Sequence, residues 1–511
     1  MTVSRRKFVA SSAALAAAGS LPDVSRAASA LDADVIVIGA GLSGLETALT
    51  LEENGLKVIV IEGRQRVGGR VFTLKQIPGH PEAGGNTIAA AYGRMIGAGQ
   101  KYGVEVVNLT ERLFSNRDTQ GLYIDGQHVP LKDWPSHPKN PFAEAQRALP
   151  PWAWGDAVLR KNFPFKDIEN WTDPKHADWD ISVHDFLKRQ GANDAQIKLG
   201  YDSNIAYGIT SRDVSLLTVM FAEYWQQVNR GALSAFSRSA GGPSAPGAPG
   251  APPAGPPAPP SGPPPLVVGM FKGGNQNLPI AMAGKLSGRL MMGTRVTGID
   301  VSGDGAVVQT AAGKRLRAKA VVSSVPYTTL RKVRINPAPP EKQKAAIASL
   351  GTIPITQFHI VAKKPFWKDD GLSASMWTDG PMGLCLAQHF GDVDDITSLA
   401  VWCRGQAAID IDKLGLEGGK KKIVAEFEKM RPAAKGQLEV MAVKSWGADP
   451  FSLGDWAIFQ PGQVTAFVHE MAKPHKQLYF CGEHTSIGSR GMEGAMESAE
   501  RVALEVLEKS G

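Results

Sequence analysis

A glycine-rich turn near the amino terminus constrains the fold more than any other feature of the chain. Residues 34–38 (DVIVI) form a short run rich in β-branched side chains, as expected of a strand buried on both faces of a parallel sheet. The sequence GAGLSG follows directly at 39–44 and opens a helical pattern over residues 45–53. A second strand pattern over residues 57–61 ends at Glu62. The segment therefore predicts a βαβ unit.

The spacing of the glycines and of the acidic residue predicts a dinucleotide site. In a GxGxxG turn, Gly39 permits the tight turn, Gly41 lets backbone amides approach a pyrophosphate, and Gly44 lets the helix pack close to the strand. The amino end of the helix then lies at the phosphates. Glu62 lies where a carboxylate accepts hydrogen bonds from the adenosine ribose. A purely structural glycine-rich turn is the alternative.

The segment after Glu62 points to FAD rather than to NAD. In residues 64–70 (RQRVGGR), guanidinium groups flank a glycine pair, so that they neutralise a diphosphate while the glycines admit the flavin. A solvated basic loop is the alternative. Near the carboxyl terminus, residues 479–484 and 491–495 repeat the order of strand, glycine turn and helix. We expect a backbone N–H near Met492 to point at the pyrimidine edge of the flavin.

The rest of the chain is long enough for a second domain. Its 511 residues exceed what one hydrophobic core usually supports, and 43% hydrophobic with 21% charged residues is typical of globular proteins. Short alternating segments over residues 294–325 predict an antiparallel meander. Residues 241–265 are nearly all Pro, Gly, Ala and Ser, which predicts an exposed, partly extended loop. A ligand for a proline-reading domain is the alternative for this loop.

Residues 1–30 resemble a twin-arginine signal peptide. Arg5 and Arg6 precede an alanine-rich run, and residues 28–30 (ASA) have the spacing of a cleavage site. This predicts export by the Tat translocase, with the cofactor already inserted, and a periplasmic location; a frayed tail is the alternative. The apolar run is too short to span a bilayer and no later stretch qualifies, so we expect no stable membrane insertion.

Composition argues against several other functions. The net charge is +7, of which +3 lies in residues 1–30, and no basic stripe follows, so nucleic acid is not an expected partner. The three cysteines are too few and scattered for a disulfide scaffold, and the ten histidines lack metal-ligand spacing. We therefore expect no metal site. No GxSxG elbow is present, which leaves acyl-enzyme chemistry without support.

Residues 34–73, 82–86 and 478–499 resemble the flavin-containing amine oxidase family, which includes monoamine, polyamine and L-amino-acid oxidases. The resemblance implies an α/β (α+β two-domain) fold. A Rossmann-like FAD-binding domain would comprise residues 31–108, 266–340 and 446–511. A discontinuous substrate domain, residues 109–240 and 341–445, would roof the isoalloxazine. Weaker matches are Arg94, residues 213–215 (DVS), residues 271–279, Val296, residues 365–367 (PFW), and residues from Trp446 to Gly462.

The resemblance also implies the chemistry and the cofactor contacts. The family reaction transfers a hydride from the carbon that bears the nitrogen to flavin N5, giving an imine that hydrolyses to an aldehyde or ketone. Because the nitrogen must be uncharged, an apolar pocket that disfavours ammonium belongs to the mechanism. The residues expected to bind FAD are Gly39, Gly41, Leu42, Ser43, Gly44, Glu62, Gly63, Arg64, Gly69, Arg70, Gly85, Asn86, Val296, Trp446, Gly482, Glu483, Gly491 and Met492.

Several positions depart from the family pattern. Trp456 fills one of the two aromatic places that align the amine, whereas the other place falls at Gly491 and offers no ring. Counting eight residues back from Pro365 places Gln357 where many members have a lysine near flavin N5. Asp455 replaces the cysteine that attaches the flavin in monoamine oxidases, which predicts non-covalent FAD. We expect Trp456, Gln357 and Gly491 to shape the catalytic site.

These departures keep more than one function open. The first hypothesis is oxidation of a small amine, with dioxygen as the acceptor or, because Gln357 offers no cation, a c-type cytochrome. Asn86 stands where amino-acid oxidases hold an α-carboxylate with an Arg-Met pair, so amino acids are less favoured substrates. Gly491 and Gln357 favour a second hypothesis, a C–C desaturase or oxidase like the related carotenoid and porphyrinogen enzymes. The third is a non-catalytic FAD-fold binding protein.

Overall fold

A computed structural model describes residues 31–110, 120–239, 266–302, 305–389 and 395–510 of the chain. The predicted export signal, residues 1–30, and the proline-rich loop, residues 241–265, both lie outside the described residues. Within those residues, no helix is both long and apolar enough to cross a membrane.

The predicted βαβ unit forms the centre of an eight-stranded sheet. Strand β1 (Ala33–Ile38) pairs in parallel with β2 (Val58–Ile61), and helix α1 (Leu42–Glu53) connects them. All four side chains of β2 are buried, since Val58 and Val60 share one hydrophobic cluster with α1 and Ile59 and Ile61 belong to another on the opposite face of the sheet. The strand order is β12-β9-β10-β11-β1-β2-β8, and β20 also pairs with β11. We call this the first sheet.

The first sheet draws its strands from distant parts of the sequence. The predicted meander is present as the antiparallel strands β9 (Val296–Ser302), β10 (Gly305–Thr310) and β11 (Arg315–Ser323). Strand β11 also pairs in parallel with β1 on one side and with β20 (Leu478–Phe480) on the other. The other strands of this sheet are β8 (Arg289–Met291) and β12 (Arg334–Asn336).

A second, seven-stranded sheet has the order β18-β14-β17-β16-β15-β5-β6. Its centre is antiparallel, and β14 (Ile355–Ala362) pairs with both β17 (Ile396–Arg404) and β18 (Leu438–Ser445). All its strands lie within the segments predicted for the substrate domain, although the exact residue boundaries of the two domains stay a prediction. The remaining strands of this sheet are β5 (Gly121–Ile124), β6 (Gln127–Val129), β15 (Met376–Thr378) and β16 (Leu384–His389).

The remaining elements cover the sheets and connect them. Two small sheets consist of β3 (Ile88–Ala89), β7 (Val268–Phe271) and β4 (Val106–Asn108), and of β13 (Gly351–Thr352) with β19 (Ala457–Ile458). The other α-helices are α2 (Gly93–Tyr102), α3 (Pro151–Lys161), α4 (Val183–Arg189), α5 (Asp194–Gly200), α6 (Leu216–Ser239), α7 (Asn277–Ala283), α8 (Tyr327–Leu330), α9 (Glu341–Ser349), α10 (Phe366–Asp369), α11 (Gln406–Asp412), α12 (Gly415–Met430), α13 (Gln463–Met471) and α14 (Gly491–Ser510).

Candidate active site

A cavity of about 990 Å³ lies between the first sheet and the elements of the second. Its floor is formed where the parallel strands end, with Ile38 as the last residue of β1 and Ile61 as the last residue of β2. Its roof includes Phe221 of α6 and Trp402 of β17. Clefts at the carboxyl ends of parallel strands are the usual ligand sites of such sheets, and this volume is at the upper end of the range for small-molecule sites.

The three glycines of the turn have the geometry that the sequence predicts for a dinucleotide. Gly39 has a φ of +105°, and a side chain there would overlap the hydroxyl of Ser324. A side chain at Gly44 would overlap the carbonyl oxygen of Gly39, so close packing of α1 on the turn requires glycine. Gly41 differs, because no protein atom lies within 4 Å of the position of its missing Cβ. The space beside Gly41 is therefore open to a ligand.

Glu62 is buried at the end of β2, and both of its carboxylate oxygens are held by backbone. One accepts a hydrogen bond from the N–H of Ala40 at 2.8 Å and the other from the N–H of Arg64 at 2.7 Å. These contacts fix the carboxylate at the edge of the cavity. Each carboxylate oxygen can accept further bonds, so Glu62 can still receive the hydroxyl groups of a ribose.

The arginines of residues 64–70 are paired more fully than the sequence suggested. Arg64 lies 2.6 Å from the carboxylate of Asp449, and Arg70 lies 2.8 Å from that of Glu483. Arg66 donates instead to the carbonyl oxygen of Gly69 at 2.8 Å. Arg64 and Arg70 line the cavity, but each is neutralised by a protein carboxylate. They are therefore positioned donors rather than free cations for a diphosphate.

Helix α14 begins at the cavity. Gly491 has a φ of +54°, and Met492 is buried beside Gly85, where an added Cβ would lie 2.6 Å from the methionine sulfur. The first backbone N–H groups of a helix have no partner inside it, so this helix start can receive a ligand atom. Glu493 faces the other way and accepts hydrogen bonds from the backbone N–H of Arg94 at 2.9 Å.

Most of the residues predicted to bind the cofactor line this cavity, and two do not. Trp446 is fully buried and donates from its indole N–H to the carbonyl oxygen of Ala83 at 2.6 Å. It therefore stabilises the segment that precedes Gly85 without lining the cavity itself. Gly44 lies on the side of the turn away from the cavity, where α1 packs against the carbonyl oxygen of Gly39. The predicted residues that line the cavity are Gly39, Gly41, Leu42, Ser43, Glu62, Gly63, Arg64, Gly69, Arg70, Gly85, Asn86, Val296, Gly482, Glu483, Gly491 and Met492.

Trp456 lines the roof, and a second ring accompanies it that the sequence did not reveal. The centroid of Tyr207 lies 6.1 Å from that of Trp456, with the ring planes inclined by 53°. Tyr207 comes from the loop before α6, far from Gly491 in the sequence, although it contacts the neighbouring Arg490 in the structure. Gly491 itself carries no ring, so the predicted opening at that position stays a prediction, and Tyr207 adds a second ring beside Trp456 from another segment. No local pattern marks Tyr207 in the sequence.

Gln357 does not reach the cavity, which corrects its predicted role. It is fully buried in β14, where its side-chain oxygen lies 3.1 Å from Nε2 of His359. Its cross-strand neighbour Trp402 lines the cavity in its place. The count back from Pro365 runs along β14, whose pairing with β18 shifts register between His359 and Ile360, so the spacing does not give the position that lines the cavity.

Two ionisable groups that the sequence did not assign to the substrate lie in the upper part of the cavity. Burial raises the pKa of Asp455 to about 6, although the nearby Arg70 acts in the opposite direction. Burial lowers the pKa of Arg404, at the end of β17, to about 10, so it stays charged at neutral pH. Among the described residues no cysteine lines the cavity, and all three cysteines are buried elsewhere. The cavity thus offers no thiol for covalent flavin attachment.

Several buried polar atoms of the cavity wall have no hydrogen-bond partner among the residues that the structure describes. They include Nε1 of Trp402, Nε1 of Trp456 and both ring nitrogens of His484. Such atoms are costly when unpaired, so they indicate a polar ligand. Together with the open space beside Gly41 and the fixed carboxylate of Glu62, they fit a dinucleotide cofactor with FAD chemistry.

Comparison with known proteins agrees with this geometry. The family model described as flavin-containing amine oxidoreductase matches residues 42–507. Flavin-containing amine oxidase A of Equus caballus is 26% identical over 500 residues, which cover 94% of this chain and 85% of that protein. A flavin-containing amine oxidase of Oncorhynchus mykiss is 27% identical over 494 residues, covering 94% and 86% of the two chains.

Solved structures share the fold. Cyclohexylamine oxidase from Brevibacterium oxydans IH-35A has a TM-score of 0.70 at 20% identity, covering 94% of this chain and 99% of that one. Wild-type putrescine oxidase bound to putrescine has a TM-score of 0.66 at 20% identity, covering 93% and 99%. The predicted fold class and family resemblance are both confirmed. The chain belongs to the flavin-containing amine oxidoreductase family and is an FAD-dependent oxidoreductase.

Proposed function

We propose that this protein oxidises the C–N bond of an amine that enters beneath Trp456 and Tyr207. The observation that carries the proposal is the position of this aromatic pair in the roof of the same cavity whose floor is the dinucleotide turn. Aromatic faces hold an aliphatic or aromatic amine against a flat partner. Relatives named as amine oxidases support the same reaction.

The chain's own residues bind the amine, orient it and exclude water. Phe221, Trp225 and Phe459 make the upper cavity largely apolar. An apolar environment disfavours the ammonium form, so the bound amine loses its proton and its lone pair becomes available. Bound FAD supplies the two-electron acceptor for the hydride that leaves the adjacent carbon. The resulting imine then reacts with water to give a carbonyl compound and ammonia or a smaller amine.

We propose dioxygen as the electron acceptor. The case for a c-type cytochrome depended on a neutral Gln357 above the flavin, but that side chain lies outside the cavity. Dioxygen would take two electrons and two protons to give hydrogen peroxide. The names of the relatives, which are oxidases, support this choice.

The C–C desaturase hypothesis loses support from both of its features. Tyr207 adds a second ring beside Trp456 although Gly491 carries none, and Gln357 does not line the cavity. We nevertheless keep a polyene in the experiment below, because the cavity itself is large enough for a substrate bulkier than a simple amine.

The test is anaerobic reduction of the flavin in the purified holoenzyme, followed by absorbance. The panel contains primary and secondary amines, amino acids and a polyene. Bleaching by members that contain a C–N bond, with none by the polyene, supports amine oxidation. Bleaching by the polyene alone contradicts it. Mixing the reduced enzyme with dioxygen or with oxidised cytochrome c then identifies the acceptor, and reoxidation by cytochrome c alone would overturn the choice of dioxygen.

We also propose that the protein is exported to the periplasm by the Tat translocase. The support is Arg5 and Arg6 ahead of an alanine-rich run and the ASA sequence at 28–30. Fractionation of cells that express the full chain tests this. Replacing both arginines by lysine is expected to leave the protein in the cytoplasm, whereas unchanged periplasmic activity would contradict export by this route.

A further inference from the structure

Two guanidinium groups face the upper cavity and form no ion pair with a carboxylate of the described residues. The first is Arg404, at the end of β17. Its guanidinium carbon lies 4.9 Å from the centroid of the Trp402 ring, and its Nε is buried without a hydrogen-bond partner. No carboxylate of the described residues lies within 4 Å of its nitrogens, and it lines the cavity. A buried cation of this kind is costly unless a ligand pairs with it.

The second group is Arg490, in the residue before α14. It donates to the hydroxyl oxygen of Tyr207 at 2.7 Å, and its guanidinium carbon lies 4.6 Å from the centroid of that ring. The centroid of Phe221 lies 5.8 Å from the same carbon. In the described part of the chain it also has no ion pair. Aromatic rings therefore hold both arginines in place while their charges stay unmatched.

The remaining charges in the cavity do not remove this excess. Arg64 pairs with Asp449 and Arg70 with Glu483, so those cations are already balanced. Asp455 is the carboxylate that acts on Arg404, but it forms no ion pair with it and is also attracted by Arg70. The upper cavity consequently carries more positive than negative charge, next to the aromatic pair that we assign to the amine.

We infer that the substrate is an amine that carries a carboxylate, and that Arg404 and Arg490 bind this carboxylate. The inference rests on the proposed function. The planar guanidinium group donates two parallel hydrogen bonds to a carboxylate, which makes arginine the side chain suited to this recognition. Asn86 had argued against amino acids, because no arginine follows the second glycine pair. The structure assigns the anchoring role to Arg404 and Arg490 instead, which reach the cavity from other segments of the chain.

Matched substrate pairs that differ in one carboxylate test the inference. We choose phenylalanine with 2-phenylethylamine, and 6-aminohexanoate with hexylamine, and we measure kcat/KM and anaerobic flavin reduction for each. In at least one pair the carboxylate-bearing member is expected to be preferred. Loss of one or more charge-assisted hydrogen bonds in Arg404→Met is expected to lower that preference by about 10- to 100-fold. The exposed Arg189→Met is the matched control and is expected to keep the preference of the wild type.

Ligand binding gives a readout that does not depend on turnover. Benzoate is expected to raise the melting temperature of the wild-type holoenzyme more than benzyl alcohol does, and Arg404→Met and Arg490→Met are expected to reduce that rise. Equal or better use of the neutral member in both pairs would overturn the inference. If Arg404→Met keeps the preference for the carboxylate-bearing substrate but is reoxidised more slowly by dioxygen, the inference is also overturned. Arg404 would then act on the reaction of the reduced flavin with dioxygen rather than on substrate binding.

The failure of the proposed function has a different signature. In that case no amine, with or without a carboxylate, reduces a flavin that dithionite still bleaches. Reduction by neutral amines without a preference for carboxylates leaves amine oxidation in place and rejects only the carboxylate site.

Discussion

Replacing Gly41 by alanine separates cofactor binding from folding. Gly41 has a φ of −80° and a ψ of −179°, a conformation that alanine adopts without strain. No protein atom lies within 4 Å of the added Cβ, which enters the open space of the cavity. A Gly→Ala change at a compatible position stabilises a protein by about 0.4–1 kcal/mol. Gly41 is also the N-cap of α1, where alanine is less favourable than glycine, so the two effects offset and the apoprotein is expected to be about as stable as the wild type.

The same methyl group occupies space that the diphosphate of FAD needs at the start of α1. If the methyl group removes the equivalent of one charge-assisted hydrogen bond to FAD, the binding free energy weakens by about 1.5–3 kcal/mol, and the Kd for FAD rises roughly 10- to 100-fold. Titration of the apoprotein with FAD, followed by flavin fluorescence, measures this loss. Gly97→Ala is the control, since this exposed glycine of α2 also has no atom within 4 Å of its Cβ. Wild-type affinity in Gly41→Ala, or a lower melting temperature of its apoprotein, would refute the reasoning.

Three further substitutions test other parts of the site. Glu62→Ala leaves two backbone N–H groups without acceptors, at about 1–3 kcal/mol each, so the purified protein is expected to lack flavin absorbance. Trp456→Ala is expected to keep FAD but lose turnover on the order of 100-fold because the amine is misaligned; full activity would disprove the aromatic assignment. Burial raises the pKa of Glu82 to about 7, so the folded form holds its proton more tightly than the unfolded form and stability falls as pH rises from about 5 to 7. Glu82→Gln is expected to lose this fall, which melting temperatures at pH 5 and pH 8 would show; parallel pH profiles would contradict it.

The floor of the cavity could be predicted from the sequence because its determinants are local. Gly39, Gly41 and Gly44 lie within six residues; the positive φ of Gly39 and the contact of Gly44 with the carbonyl oxygen of Gly39 both arise inside the turn itself. Glu62 ends the next strand, so its position follows from the βαβ unit alone. Because these contacts join residues that are close in sequence, the spacing of the glycines and of Glu62 is enough to predict them.

The roof could not be predicted in the same way, because its residues meet only through tertiary packing. Tyr207, Arg404 and Arg490 come from three separate segments, yet Arg490 contacts Tyr207 directly across 283 positions. No spacing connects them. The role of Gln357 was inferred by counting along β14, where the pairing with β18 shifts register between His359 and Ile360, and such a shift changes which side chains face the ligand.

The pairing of β11 with both β1 and β20, and the contact of Arg70 with Glu483, have a consequence for the order of events during synthesis. The floor of the cavity includes Arg70 and Glu483, which are 413 positions apart in the sequence. The last strand and the last helix that contribute to this floor begin at Leu478 and Gly491. A nascent chain that has not yet emerged to the end of α14 cannot close the floor. Cofactor capture is therefore a post-translational step, and a protein truncated before residue 478 is expected to emerge from the ribosome without the ability to retain flavin.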